Sequence, residues 1–247
     1  MDAHGQYRDW KNWDETRFAQ YDRAEAVYFA AEFAKAGLTP AKGFSLLEIG
    51  FGNGHFAGWV RAQGWRYAGT EQDPELVGRA RAAGFSAHES STPLDTVTGA
   101  GSLDLVIAFD VLEHLTFDEI ITLLEAARGA LKPTGHFIAR FPSGDSPFGR
   151  VIQHGDMTHR SIIGSGIVQQ LAQKAGFDVV QIRAPVLPVF GVGLISGLRR
   201  AVIRSVRALI RYFLRKIYFD NQPRVVEPNM VIVLCPAGNP RQATKLN

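Results

Sequence analysis

The stretch Phe44-Ser-Leu-Leu-Glu-Ile-Gly-Phe-Gly-Asn-Gly54 decides the fold, because in it an apolar run breaks into three glycines at alternate positions. This pattern predicts a buried strand that enters a tight turn, followed by a helix that begins near His55. Glycines allow the backbone to take positive φ angles and to approach a ligand closely, and free N–H groups at a helix start favour polar or anionic ligand atoms. Glu48 places a carboxylate at the end of the strand, which is costly unless a cationic group binds there.

A second acidic residue lies at the end of the next predicted strand. The segment Trp65-Arg-Tyr-Ala-Gly-Thr70 is expected to form this strand, and Glu71 follows it directly. A carboxylate at this place accepts hydrogen bonds from both hydroxyls of a ribose, which implies a nucleoside-containing cofactor. The spacing alone leaves two cofactors open, since Gly52-Asn-Gly-His-Phe-Ala57 also fits the dinucleotide fingerprint of NAD-binding proteins, although that register starts late relative to the strand.

The composition limits the class of protein. With 247 residues, of which 46% are apolar, the chain can bury the core of a single α/β domain. Its one cysteine, Cys235, is expected to be inert core and fits a reducing cytoplasm. Residues Met1 to Glu15 lack the apolar centre of a signal peptide, so no export is indicated. The longest uncharged stretch, Ala184 to Leu198, has 15 residues and is too short and too broken by glycine and proline to span a bilayer.

Later motifs carry a family resemblance. The apolar strand Leu103-Asp-Leu-Val-Ile-Ala-Phe109 is followed by Asp110-Val-Leu-Glu-His-Leu115, and Leu131-Lys-Pro-Thr-Gly135 precedes the next predicted strand. Together with the spacing Glu48-x-Gly-x-Gly-x-Gly54, these motifs resemble class I S-adenosylmethionine (SAM) methyltransferases. The resemblance is to members with a Leu-Glu-His motif from surface-glycan, quinone and natural-product pathways, and it covers residues 44–183.

The resemblance implies a doubly wound, Rossmann-like α/β fold with the seven-stranded sheet of these methyltransferases, and SAM as the cofactor. In that family Glu48 would lie near the methionine ammonium and Glu71 would hold the ribose. The residues expected to bind SAM are Glu48, Gly50, Phe51, Gly52, Asn53, Gly54, Glu71, Gln72, Phe109 and Asp110.

On this interpretation the chain has four parts. They are an N-terminal arm and helical cap (1–40), a SAM-binding core (41–184 and 228–237), a basic amphipathic helical insertion before the last strand (185–227) and a tail (238–247). In the cap, a helix is expected from Glu15 to Lys35, with Gly37 as its stop signal. This helix either packs on the sheet or forms a lid over the substrate, and the sequence leaves both interpretations open.

One acidic and histidine cluster raises the question of a metal. Asp110, Glu113 and His114 stand within one turn, so their side chains are able to converge. They resemble the metal site of certain O-methyltransferases that act on quinone precursors or on RNA 2′-hydroxyls. Because Asp110 replaces the Glu of those sites, and because Leu-Glu-His also occurs in relatives without a metal, we predict that no metal binds here. Asp110 would then cap a helix or touch the cofactor, and His114 would be structural.

The loop from Pro142 to Arg160 supplies the predicted catalytic residues, because substrates bind at the carboxyl edge of open parallel sheets. It contains His154, Asp156 and His159. Methyl transfer to a hydroxyl needs a proton acceptor, and a neutral histidine is suited to this near pH 7. A similar Asp-x-Thr-His element occurs in family members assigned to surface-polysaccharide and natural-product pathways. We predict that these three residues are catalytic; the alternative is that they pin the loop by hydrogen bonds.

The segment 190–219 has a charge pattern of its own. From Arg199 to Lys216 there are seven basic residues and no acidic ones, whereas the rest of the chain has 20 basic and 24 acidic residues. Apolar residues and arginines each recur at intervals of three and four, on opposite faces of a predicted helix. This pattern predicts an interfacial helix on an anionic membrane, with packing on the sheet or on a second subunit of a homodimer as the alternative. Nucleic acid is disfavoured as a partner. Single-stranded nucleic acids are bound by aromatic residues interleaved with basic ones, whereas here the aromatic residues lie on the face opposite the arginines.

The predicted function is SAM-dependent O-methylation of a glycan or lipid-linked sugar. The protein is expected to be cytoplasmic and to bind peripherally at the inner membrane face. One alternative is O-methylation of a quinone or of another small molecule. The other alternative, from a different class, is a SAM-binding membrane scaffold without catalysis.

Overall fold

A computed structural model describes residues 18–220 and 225–238. The predicted arm and most of the predicted tail lie outside these residues. The strands are β1 Ser45–Ile49, β2 Arg66–Glu71, β3 Ala87–Glu89, β4 Leu103–Phe109, β5 Leu131–Pro142, β6 Phe177–Arg183 and β7 Asn229–Pro236. The α-helices are α1 Arg23–Ala36, α2 His55–Ala62, α3 Pro74–Ala82, α4 Leu94–Thr98, α5 Phe117–Ala130, α6 Arg150–Gln153, α7 Ser165–Lys174 and α8 Leu194–Phe213.

The seven strands form one sheet in the order β3-β2-β1-β4-β5-β7-β6. The central strands are parallel, and β7 runs antiparallel between β5 and β6. The chain leaves β1 toward β2 on one side and later returns to β4 on the other, so the order reverses between β1 and β4. Ligands of open α/β sheets bind outside the carboxyl ends of the strands at such a reversal. The predicted Rossmann-like seven-stranded sheet is confirmed.

The register brings the sequence motifs to one edge of the sheet. Ile49 at the end of β1 pairs with Thr70 of β2 and with Ala108 of β4. The residues that follow these three positions therefore leave the sheet side by side. The glycine loop, Glu71 and Asp110 meet there although they are far apart in the sequence.

Aromatic packing fixes helix α1 against the sheet. Phe29 and Phe33 are buried and contact the rings of Phe56 and Trp59 on α2. Helix α1 begins at Arg23, later than predicted, because the Asp22 side chain accepts from the Glu25 N–H in a capping box and so ends the preceding turn. The expected C-terminal Gly37 is present in the left-handed conformation.

Strand β5 differs from its prediction. The segment Lys132–Gly135, expected as a loop, lies inside the strand, where the pairing with β4 shifts register between Leu103 and Leu105. Lys132 Nζ lies 2.7 Å from Asp104 Oδ1 on β4. This ion pair holds the irregular segment on its neighbour, which a turn-like sequence does not indicate.

Helix α8 and a π-helical turn at Leu214–Tyr218 occupy the segment between β6 and β7. The apolar residues predicted on one face are exposed along its whole length. They are Ile195, Leu198, Val202, Val206, Leu209, Phe213 and Ile217. The alternative in which this face packs on the sheet of its own chain is therefore excluded for the described residues. None of the described helices is long and apolar enough to cross a membrane.

Candidate active site

A cavity of about 1430 Å³ opens at the carboxyl ends of β1, β2 and β4. Nine of the ten residues predicted to bind the cofactor line it. The exception is Gly54, which stands at the N-cap of α2 and whose Cα faces the Phe18 ring. On the cap side, Glu25 and Tyr28 of α1 also line the cavity. Helix α1 is thus both packed on the sheet and part of the cavity wall, which combines the two interpretations that the sequence left open.

The glycine loop requires glycine for two separate reasons. Gly50 and Gly54 have φ angles of +70° and +73°, which L side chains rarely adopt. A Cβ on Gly50 would lie 2.6 Å from a methyl carbon of Val111, and one on Gly54 would lie 2.6 Å from the Phe18 ring. A side chain at either position would strain the backbone and displace a neighbour, so the loop stays narrow and its backbone faces the cavity.

Glu71 anchors this loop while it faces the cavity. Its Oε2 accepts a hydrogen bond from the Gly52 N–H at 2.9 Å, and its Oε1 accepts from the N–H groups of Gln72 and Asp73 at 2.7 and 3.3 Å. A carboxylate offers about four acceptor positions. Capacity for a ligand hydroxyl therefore remains, in agreement with the predicted contact to a ribose.

Glu48 is a buried carboxyl at the end of β1. It is 4% exposed, and the Tyr67 hydroxyl donates a hydrogen bond to its Oε2 at 2.7 Å. Burial raises the pKa of Glu48 to about 8, against the opposing effect of that hydrogen bond. A cation in the cavity would restore the carboxylate, as expected for a ligand ammonium. Sequence reasoning missed Tyr67. This residue lies inside β2, and its hydroxyl reaches the Glu48 carboxyl on the neighbouring strand β1.

Asn53 supplies a buried acceptor. Its side chain is 7% exposed and lines the cavity. Among the described residues its Oδ1 has no hydrogen-bond partner. Buried polar atoms nearly always have one, so this oxygen is suited to accept a hydrogen bond from a ligand.

Asp110 is tied to a cation on the neighbouring strand. It has a φ angle of +57° just after β4 and forms an ion pair with Arg140 of β5. The Arg140 guanidinium lies 5.0 Å from the Phe109 ring centroid and donates to the Tyr28 hydroxyl at 3.2 Å. Burial opposes the charge of Arg140, but the charge of Asp110 raises its pKa. Burial also raises the pKa of Tyr28, to about 12. Sequence reasoning missed Arg140. A charged residue near the end of an otherwise apolar strand could have indicated it.

On the other side of the cavity, a hydrogen-bonded chain ends at His114. The Thr158 hydroxyl lies 2.5 Å from Asp156 Oδ1 and 2.9 Å from His114 Nδ1. Burial opposes the charge of Asp156, yet hydrogen bonds from Thr158 lower its pKa, so it is a carboxylate at neutral pH. A carboxylate only accepts, so the Thr158 hydroxyl donates to Asp156 and accepts from His114 Nδ1–H. In the neutral ring, the basic nitrogen is then Nε2.

Backbone contacts explain why Thr158 meets His114. The N–H groups of Arg160 and Ser161 both donate to the Glu113 carbonyl, at 2.8 and 3.1 Å. These bonds attach the end of the loop to the 3₁₀ turn Leu112–His114. His114 and Thr158 line the cavity, whereas Asp156 supports them from behind.

The two histidines predicted to be catalytic do not line the cavity, although the His159 ring packs against the His114 ring at a centroid distance of 4.9 Å. His159 donates from Nδ1 to the Gln153 carbonyl at 3.0 Å, and its side chain is buried. His154 is exposed, and neither histidine lines the cavity. His159 therefore occupies the loop-pinning position, and His114, which we expected to be structural, has the cavity position. Only the tertiary contact between the loop and the 3₁₀ turn reveals this exchange.

The acidic and histidine cluster is also arranged differently from its prediction. Ligand atoms of Glu113, His114 and His159 lie within 4.8 Å of one another, close enough to hold a cation. Asp110 belongs to the ion pair with Arg140 instead. A metal site, if present, would therefore combine Glu113 and His114 of the 3₁₀ turn with His159 of the loop, and would not consist of three residues from one turn.

A family model described as "Methyltransferase domain" matches residues 15–182, and many solved structures of SAM-dependent methyltransferases share the fold. The chain belongs to the class I SAM-dependent methyltransferases. One solved structure, a SAM-dependent methyltransferase from Archaeoglobus fulgidus, is 16% identical with a TM-score of 0.62, covering 95% of this chain and 100% of that chain. At this identity the likeness concerns the fold.

Two further comparisons are partial. A ubiquinone biosynthesis O-methyltransferase from Methylobacterium sp. (strain 4-46) is 31% identical over 111 residues, which cover 42% of this chain. The match spans 43% of that relative's length. Phosphoethanolamine N-methyltransferase 2 from Haemonchus contortus, solved with SAM, is 15% identical with a TM-score of 0.54, covering 86% of this chain and 52% of that chain.

SAM is the cofactor of this methyltransferase, and the cavity fits it. The buried Glu48 carboxyl suits the methionine ammonium, and the Glu71 carboxylate suits the ribose hydroxyls. Asn53 Oδ1, for which the described part of the chain supplies no hydrogen-bond partner, suits a ligand donor. When bound, SAM supplies a methyl group on a positively charged sulfur.

Proposed function

We propose that this methyltransferase methylates a hydroxyl oxygen and that His114 accepts the hydroxyl proton. The observation that carries this proposal is the chain from Asp156 through Thr158 to His114, with His114 on the cavity wall. A hydroxyl is a weak nucleophile while it keeps its proton, so a positioned base lowers the barrier. The carboxylate of Asp156 stabilises the imidazolium that forms, through the Thr158 hydroxyl.

We propose a glycan or lipid-linked sugar at the cytoplasmic membrane face as the acceptor. Exposed apolar side chains on α8 support the membrane location, since Ile195 and Leu198 are 86% and 69% exposed. Arg204 and Arg207 on the same helix are also exposed, and such residues attract anionic lipid headgroups. An acceptor that is itself anchored in lipid would be concentrated at this surface.

A phenolic hydroxyl of a quinone precursor is the second candidate acceptor. The observation in its favour is the name of the partial relative, a ubiquinone biosynthesis O-methyltransferase. Leu115, Leu123 and Ala126 contribute apolar lining to the cavity, and a ring would pack against them.

Radiolabelled SAM separates these acceptors. The purified protein is incubated with methyl-labelled SAM and, in parallel, with total lipid, surface glycan and quinone-precursor fractions. Label in lipid-linked sugar or glycan supports the first acceptor, and label in a phenolic compound replaces it with the second. Label that enters none of the fractions, while SAM still binds, would favour the SAM-binding scaffold without catalysis.

Substitution of His114 tests the proton acceptor. We expect His114→Gln to lower the turnover rate by roughly 10²–10⁴-fold while SAM affinity is kept. Thr158→Val should give a smaller loss and shift the acidic limb of the pH–rate profile, because it uncouples His114 from Asp156. His154→Gln is the matched control, because His154 is exposed and does not line the cavity, and it should leave the rate unchanged. Equal rates for His114→Gln and the unchanged protein would contradict the proposal.

Chelation tests the role of Glu113, His114 and His159 in the same assay. We expect full activity after treatment with EDTA, as predicted from the sequence. Loss of activity that returns with an added divalent cation would instead make His114 a metal ligand. The His159→Gln variant would then lose activity together with His114→Gln, which distinguishes the two roles.

A further inference from the structure

The loop that borders the cavity has an unusual surface. Val151 and Met157 are 83% and 98% exposed, and the side chains of Phe148 and Ile152 are exposed as well. Isolated apolar residues on a surface are common, but a group of them on one short loop indicates a partner. The exposed charges in residues 147–160 are those of Arg150 and of Arg160, which forms an ion pair with Glu119 of α5. The carboxylate of Asp156 is turned inward.

Helix α8 has the same combination of exposed apolar and basic side chains without acidic ones. Like the loop, it does not rest on the sheet. The two elements lie apart in the sequence, but both follow strands that end at the same edge of the sheet. Phe141 of β5 and Arg183 of β6 pair with Met230 and Val231 at the start of β7. A shared surface chemistry at both indicates a shared partner.

A short strap connects the two elements. Ser146 Oγ of the loop donates to the Val226 carbonyl at 2.7 Å, and Ser143 N–H donates to the Pro228 carbonyl at 2.8 Å. Next to Val226, Glu227 accepts from Arg211 of α8 at 2.6 Å. The segment 225–228 therefore holds both the loop and α8.

We infer that the loop 148–157 and α8 together form a two-part binding surface for an anionic lipid bilayer. Apolar side chains of both elements would enter the boundary between headgroups and acyl chains, and their arginines would contact lipid phosphates. This inference rests on the membrane location in the proposed function and adds a second contact, at the mouth of the cavity.

The position of the loop gives this contact a consequence for the site. Met157 and Thr158 are neighbours on the cavity wall, and Thr158 holds His114. With Met157 in the lipid, the cavity would open toward the bilayer. A lipid-anchored acceptor could then enter without leaving the membrane, beside the proton acceptor.

Site-specific labelling with an environment-sensitive dye (NBD) tests the surface in the full-length protein. The native Cys235 is fully buried, so a single introduced cysteine takes up the dye selectively. The positions are Val151→Cys on the loop, Leu198→Cys on α8 and Lys174→Cys on α7 as the exposed control. Each labelled protein is mixed with vesicles of phosphatidylcholine that contain or lack phosphatidylglycerol.

We expect a blue shift and a rise in dye emission at positions 151 and 198 with anionic vesicles, and no change at 174. A response at 198 but not at 151 would overturn the two-part surface and leave α8 as the sole membrane contact. A response at 198 that depends on protein concentration and needs no vesicles would assign α8 to a second copy of the chain. Because the dye reports contact without turnover, a missing methyl acceptor would not affect this test.

Discussion

Glu48 shows how one buried residue couples cofactor binding to pH. With its pKa at about 8, this carboxyl is largely protonated at neutral pH in the free protein. A bound ammonium favours the carboxylate, so with the expected contact to the methionine ammonium, binding of SAM should release a proton from Glu48. Affinity for SAM should therefore rise with pH up to the pKa, by as much as about 1.4 kcal/mol for each pH unit.

Calorimetric titration with SAM between pH 6 and pH 8 measures this coupling. Glu48→Gln should weaken binding and flatten the pH dependence. The ammonium of SAM titrates in both proteins, so the difference between them reports on Glu48 alone. Tyr67→Phe is a second probe, because loss of its hydrogen bond should move the profile to higher pH. Parallel profiles for the unchanged protein and Glu48→Gln would refute the proposed contact.

The same residue affects stability in the absence of SAM. Its folded-state pKa of about 8 lies above its ordinary value of 4.5, so between these values the folded chain binds more protons than the unfolded chain. The free energy of unfolding should therefore fall as pH rises from about 4.5 to about 8. Urea unfolding at pH 5 and pH 8 should show a smaller fall for Glu48→Gln. Identical falls would mean that Glu48 does not titrate in this range.

At the scale of elements, α8 has its buried contacts at its beginning. A Cβ on Gly197 would lie 2.5 Å from the Val189 carbonyl oxygen, and Arg200 donates to the Pro188 carbonyl at 3.2 Å. The preceding segment is fixed on α1, where the Val186 N–H donates to Glu32 Oε1 at 2.6 Å. Beyond this anchor the helix presents its apolar face to solvent, so a membrane or a second subunit would stabilise it.

Charge reversal on α8 should separate these partners. Arg204→Glu with Arg207→Glu should weaken sedimentation with anionic vesicles by roughly tenfold or more, because each arginine contributes about 1 kcal/mol near such a surface. High salt should likewise weaken the binding of the unchanged protein to anionic vesicles. Lys42→Glu with Lys174→Glu is the matched control, since it changes the net charge equally outside α8. Similar losses in both double variants would indicate a general charge effect and no docking by α8.

At the scale of the whole molecule, the fold separates a rigid sheet from exposed appendages. Central strands such as β4 are buried on both faces and pair with neighbours on both sides. By contrast, an isolated helix with little tertiary packing is marginally stable in water. Stability is therefore expected to differ strongly between the sheet and α8.

Amide hydrogen exchange should record this difference. In solution, β4 should exchange slowly and α8 quickly. Anionic vesicles should slow exchange in α8 and in residues 148–157 and leave β4 unchanged, while SAM should slow the glycine loop without affecting α8. If SAM alone slowed exchange in α8, SAM binding and membrane contact would not be separate functions of separate elements.

The sequence by itself determined the family, the fold class and the cofactor edge. Local rules carry that information, because the glycines after β1 and the acid after β2 have chemical roles that depend on nearby residues in the chain. An exposed helix with two distinct faces is also a local pattern. The residues predicted to hold SAM consequently line the cavity, apart from Gly54.

Only the tertiary structure decided which histidine lines the cavity. The Asp-x-Thr-His element indicated His159, but the Thr158 hydroxyl links Asp156 to His114, which is 44 residues from Thr158 in the sequence. Likewise, Arg140 reaches Tyr28 over 112 residues, and the strap at Glu227 joins α8 to the loop. The direction of a side chain depends on the packing of distant segments, and no local pattern encodes it.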